Sequence, residues 1–291
     1  MIYKICQVER LSGLIYNRIF KGYFIFWFGL FLFSNPLGLY AQKDLKVLTY
    51  NIHHANPPHY PGLINIDTLA RIINREKPDL VALQEVDSGV KRSGNMDQAM
   101  LLAHRTGMNY RFFKAINYDG GEYGIAILSR FPILSAKLIK LPQVINAEAR
   151  VLGYVEVEIA KKKRLIFANT HLDASSSDAN RRVQMKAILD YFKESKYPVI
   201  LSGDFNDVPR SNTLDAFDSE FERAGEAVTS EYFGHTFPQD NPDRTLDYVG
   251  WKLPSPVKGI KPFYLQLVAF SILPEQYASD HLPVLVKYKI K

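Results

Sequence analysis

Short apolar runs bounded by Gly, Pro, Asn and Asp dominate this chain, and such runs read as strands. Residues 45–50 (LKVLTY), 79–83 (DLVAL), 110–114, 123–129, 151–159, 164–169 and the run from Val199 predict strands, with others over 246–250, 263–270 and 282–289. Val151, Tyr154, Val155, Val157 and Ile159 alternate only partly with polar residues, as a strand covered on both faces would. Helical spacing is sparser. Leu69, Ile72 and Ile73 recur at a helical period behind a candidate cap at Asp67, and Pro78 stops the run. Two more helices are predicted over 97–105, closed by Gly107, and over 178–193. Helices interspersed among many strands, rather than alternating with them, predict an α/β sandwich of mixed sheets.

The first forty residues depart from this pattern. Arg18 and Lys21 precede an uncharged stretch at 23–33 (YFIFWFGLFLF), and Ser34, Asn35, Pro36, Gly38 and Leu39-Tyr40-Ala41 follow. Cationic, apolar and small-residue zones in that order predict a secretory signal peptide over 1–41, cleaved after Ala41. The apolar stretch is well short of the roughly 20 residues a spanning helix needs. The expected product is one domain over 42–291, secreted or periplasmic, with no stable membrane insertion. Cys6, the single cysteine, leaves with the leader, so no disulfide or thiolate chemistry is expected in what remains. Removal also takes four of the 36 basic and one of the 30 acidic side chains, lowering the net charge from +6 to +3. So mild a balance gives no dominant phosphate-backbone footprint.

The candidate chemistry lies where the apolar runs end. TYNIHH (49–54), VALQEVD (81–87), ANTHLD (168–173), LSGDFND (201–207), TLDYV (245–249) and SDHLP (279–283) each bring Asn, Asp, Glu or His to a strand terminus. One such end is ordinary turn chemistry. Six in one chain point to a shared site, because the end of a packed strand is a rigid support for a reacting group.

In that order, LQE, GDFN and SDH resemble the endonuclease/exonuclease/phosphatase superfamily, the Mg²⁺-dependent, DNase I-like phosphoesterases. The resemblance spans roughly 46–288. It implies a DNase I-like four-layered α/β sandwich with two packed mixed β-sheets. It also implies a phosphoesterase that hydrolyses a phosphodiester or phosphomonoester by metal-assisted in-line attack of water. Glu85, Asn51 and Asp280 are the implied metal side, for Mg²⁺ with Mn²⁺ or Ca²⁺ as alternatives; Asn51 could instead donate to phosphate. Asp204 would orient or deprotonate the water and Asn206 would donate to a phosphoryl oxygen. His281 is the candidate acid/base, with Asp247 fixing its tautomer.

His171 follows its strand as histidine does in DNase I, sphingomyelinases and 5-phosphatases, whereas exonuclease III and abasic-site endonucleases carry a tyrosine-proline-asparagine type of segment there. Arg150 is expected to clamp phosphate through its planar fork. Asp173 is placed on the substrate side, where it could also orient His171 or bind metal. The local cluster of His53, His54 and His59 raises zinc, which the oxygen-rich set argues against. The expected partner is a small phosphate ester or phospholipid headgroup and the expected state a monomer. The alternative is a secreted DNase I-like endonuclease acting on DNA or RNA, against which the near-neutral charge weighs.

Overall fold

The computed structural model describes residues 44–225, 234–256, 263–275 and 277–291; the predicted leader and Cys6 lie outside them. In chain order the first half runs β1 (Asp44–Asn51), α1 (Ile66–Glu76), β2 (Leu80–Ser88), α2 (Gln98–Thr106), β3 (Asn109–Tyr118), β4 (Gly121–Ser129) and β5 (Ile133–Lys140). The second half runs β6 (Val151–Ala160), β7 (Lys163–His171), α3 (Ala179–Phe192), β8 (Val199–Asp204), α4 (Asn212–Asp218), β9 (Glu222–Arg223), β10 (Asp247–Lys252), β11 (Leu265–Ile272) and β12 (Val284–Ile290).

The strands form two six-stranded sheets, ordered β11-β12-β1-β2-β4-β3 and β5-β6-β7-β8-β10-β9. Each sheet has one parallel pair near its middle, β1 with β2 and β7 with β8, and is otherwise antiparallel. Val47, Leu80, Ile125, Val155, Phe167, Ile200, Val249 and Val286 bury themselves between the sheets. A second apolar cluster joins the outer face of the first sheet to α1 and α2 through Leu69, Ile73, Val81, Leu83 and Leu102. A third joins the second sheet to α3 and α4 through Ile166, Leu201, Met185, Ile188 and Phe217. Helices, sheet, sheet and helices make the four expected layers.

Local signals explain most boundaries. Asp97 accepts from Met100 N to cap α2, and Gly107 closes it at φ 65°. The cap of α1 is Asn65, which accepts from Thr68 N, while Asp67 sits in the first turn facing the positive end of the helix. The sequence pattern missed β5, an edge strand whose middle five residues are exposed and so carry no alternation.

Candidate active site

The sheet topology accounts for the convergence of the six polar ends. In each parallel pair both strands run the same way, so Asn51 and Glu85 emerge on one rim, and His171 and Asp204 emerge together with their Cα atoms in register. β10 runs antiparallel to β8 and begins at Asp247 opposite Asp204, while β12 runs antiparallel to β1 just after Asp280 and His281. All six ends therefore meet at one edge of the sandwich.

Two backbone devices aim the side chains. Gln84 and Glu85 bulge out of the β2–β4 ladder, where the register shifts between Leu83 and Val86, and Glu85 takes φ 57°. An extra residue in one strand turns its side chain away from the simple alternation. At the other pair Gly203 has φ 148°, and a Cβ there would lie 2.0 Å from Thr170 O, so only glycine lets β8 pass so close to β7.

Asp204 is the hub. Its Oδ2 accepts from Asn51 Nδ2 at 3.0 Å and lies 3.6 Å from both His171 Nε2 and His281 Nε2, while Oδ1 accepts from Asn206 N at 2.9 Å. The same Asn51 amide donates to Glu85 Oε1 at 3.1 Å, and Asn51 Oδ1 accepts from His53 N. Ser279 Oγ donates to Asn51 O at 2.7 Å and lies 3.3 Å from Asp280 Oδ1, tying the SDH segment to the end of β1. His281 Nδ1 sits 2.9 Å from Asp247 Oδ2, and the Phe237 ring packs 4.8 Å from the His281 ring. His171 Nδ1 lies 3.0 Å from Arg150 Nη1.

Burial and these contacts push the groups in opposite directions. Burial works against a charged His281, but Asp247 and then Asp204 outweigh it and raise the imidazole to about 10. Burial, reinforced by the Arg150 charge, holds His171 well below the ordinary histidine value. Burial lifts the Asp204 carboxyl to about 7, with His281 pulling it down and Asp247 pushing it up. At Glu85 burial is outweighed by the His54 ring first, then by the nearby His171 ring and the Asn51 amide, which keep the carboxyl well below the usual range.

The remaining expected residues are Asn206, Arg150 and Asp173. Asn206 is at the site, at φ 50°, with Nδ2 donating to Leu172 O at 3.0 Å. Arg150 reaches the site through His171 and Glu148. The Asp173 carboxylate accepts from Ser175 N at 3.3 Å and lies 3.5 Å from Asn180 Nδ2, bracing the approach to α3. Gln98 bonds Asp87 N and His54 O, and Arg92 forks onto the buried Asp87 at 2.9 Å through two nitrogens.

Sequence reasoning passed over Gln84 and Asn169. Gln84 Nε2 donates to Asn169 Oδ1 at 2.7 Å, and Asn169 Nδ2 donates to Leu83 O and Ala126 O, bolting the sheets together directly beneath the site. Gln84 adjoins Glu85 in LQE and Asn169 lies two residues before His171 in NTH, and no local pattern marks either, because the two amides meet only when the sheets stack.

Ligand atoms of His53, His54 and Glu85 lie within 4.8 Å of one another, as do those of Asp204, Asp247 and His281. Among the described residues, His54 Nδ1 and Asp247 Oδ1 are buried with no hydrogen-bond partner. An anionic Glu85 beside the Asn51 amide, with Asp280 linked through Ser279, is a donor set that suits a hard divalent cation. The residues fit the group.

A model of the Endonuclease/Exonuclease/phosphatase family matches residues 48–281, and the chain belongs to that family of metal-dependent phosphoester hydrolases. Among solved structures it is similar to an endonuclease/exonuclease/phosphatase from Beutenbergia cavernae DSM 12333, with 24% identity and a TM-score of 0.69 over 86% of this chain and 72% of that one. It is also similar to the human Nocturnin catalytic domain with bound sulfate, at 20% identity and TM-score 0.66 over 86% and 94%. A mannosyl-6-phosphatase from Bacteroides thetaiotaomicron VPI-5482 shares 21% identity, with TM-score 0.61 over 85% and 99%. At these identities the likeness concerns the fold.

Proposed function

We propose that this protein is an exported, Mg²⁺-dependent phosphoesterase that hydrolyses a small phosphate ester by in-line attack of water. The observation that carries the reading is the meeting of Asn51, His171 and His281 on the single oxygen Asp204 Oδ2. The amide and two imidazoles surround a carboxylate with the reach to hold one phosphoryl group between them.

Asp204 Oδ2 orients the water and takes its proton as the new P–O bond forms. Its raised affinity for protons suits that role near neutral pH. Protonated His281, held by Asp247, gives a proton to the leaving oxygen as the old P–O bond breaks. Asn206 and His171 face the phosphoryl oxygens. Glu85, Asn51 and Asp280 would hold the divalent cation, which supplies charge compensation for the phosphoryl oxygens.

Export rests on the cationic, apolar and small-residue zones of 1–41, and mass spectrometry of the processed protein should give a chain starting at Gln42. The chemistry is tested with bis-(p-nitrophenyl) phosphate. Release that needs Mg²⁺ and stops with EDTA supports the reading, and metal-independent or absent release sinks it. A panel of inositol and sugar phosphates, phospholipid headgroup esters and plasmid DNA then identifies the leaving group.

A further inference from the structure

Arg150 does not reach outward. It is 7% exposed, and its Nη1 is committed to two neighbours, His171 Nδ1 at 3.0 Å and Glu148 Oε1 at 2.8 Å. A guanidinium has hydrogens on every nitrogen and no lone pair to accept with. In the Arg150–His171 contact the arginine must therefore be the donor, which leaves the lone pair on Nδ1. A neutral imidazole carries one N–H, and here it falls on Nε2, the atom directed at Asp204 Oδ2. A cation against Nδ1 also opposes a second proton on the ring, in line with the depressed His171 value.

We propose that Arg150 is a positioning residue that locks His171 in the Nε2–H tautomer, so that His171 serves the reaction as a fixed hydrogen-bond donor to the phosphoryl group and never as a base. The catalytic half of this statement rests on the phosphoesterase reading; the tautomer does not. His281 is wired the other way, with the Asp247 carboxylate at its Nδ1 and so a ring that favours the charged state. Partners of opposite sign on the two Nδ1 atoms give the two imidazoles separate duties that they cannot exchange.

The first test needs no substrate. Long-range ¹H–¹⁵N correlation spectra of the metal-free protein, with His171 identified by the pattern that vanishes in His171→Gln, should show a protonated Nε2 and an unprotonated Nδ1. An Nδ1–H signal in the wild type overturns the proposal. The second test divides kcat from KM. Arg150→Met should mix the two tautomers and lower kcat on the order of 10²-fold, leave KM nearly unchanged, and cost almost nothing further in a His171→Gln background. Arg150→Lys, which keeps a cationic donor, should recover part of kcat. A raised KM with intact kcat in Arg150→Met would make Arg150 a phosphate clamp instead. Should Arg150→Met fail to fold, the wild-type spectrum and Arg150→Lys still decide. A lost tautomer and a lost hydrolase activity are separate results, since the spectrum is read without turnover.

Discussion

His171 and His281 each place Nε2 3.6 Å from the same oxygen, Asp204 Oδ2, while leaning through Nδ1 on partners of opposite charge, Arg150 and Asp247. Pairs of titratable groups driven apart by their surroundings mark an acid and its neutral counterpart. In the metal-free protein at pH 8, NMR should therefore find His281 protonated and His171 neutral. Two neutral rings at that pH would remove the proton assigned to the leaving oxygen.

Asp247→Asn keeps an acceptor for His281 Nδ1 but withdraws the negative charge that, with Asp204, raises the ring to about 10. The His281 titration should move down toward the ordinary 6.5 or so, and kcat should fall on the order of 10²–10⁴-fold. His281→Ala should lose at least as much. Unchanged turnover in either variant would free these residues from proton transfer.

The same raised value links folding to pH. A histidine whose folded value exceeds its unfolded one stabilises the native state fully below about 6.5, and that contribution is lost as pH rises through about 10. Denaturant midpoints should therefore fall over this alkaline range in the wild type, and His281→Gln should lack that part of the decline. Parallel curves for the two proteins would argue that the ion pair contributes nothing to stability.

Glu85 is the acidic anchor expected on the metal side, turned inward by the bulge in β2. Glu85→Gln retains shape and hydrogen bonding but removes the charge. The Mg²⁺ concentration for half-maximal activity should rise at least about tenfold, equivalent to roughly 1.4 kcal/mol, with melting in EDTA little changed. A metal requirement identical to wild type would place the cation elsewhere.

Gly203→Ala tests the scaffold beneath the chemistry. The added Cβ would meet Thr170 O at 2.0 Å, and backbone cannot swing aside as a long side chain can. Strand displacement there should cost about 1–3 kcal/mol in urea unfolding, and activity should fall as Asp204 shifts. A variant as stable and active as wild type would mean that β7 and β8 have room to spare.

The sequence reading reached most strands and the six polar ends because both follow from strong local signals, short apolar runs for the strands and Asn, Asp, Glu or His where each run stops, while the four layers were what the family resemblance implied. It did not reach β5, whose exposed face hides the alternation, nor α4, only seven residues long and so too short for a clear helical period. It proposed Arg150 as a phosphate fork because guanidinium geometry suits phosphate. That the same fork lands on His171 is decided by the pairing of β6 with β7, a contact between residues 21 apart that no local pattern encodes. Gln84 and Asn169 were overlooked for the same reason, since they meet only when the sheets stack.

Asn51, Glu85 and His281 stand on one sheet and its edges, whereas His171, Asp204 and Asp247 stand on the other, so neither layer owns a working centre by itself. Turnover is then a gauge of how tightly the two slabs are clamped. Under gentle denaturation catalysis should vanish while circular dichroism still reports intact strands, and a ligand gripping both halves would act as a staple across the seam.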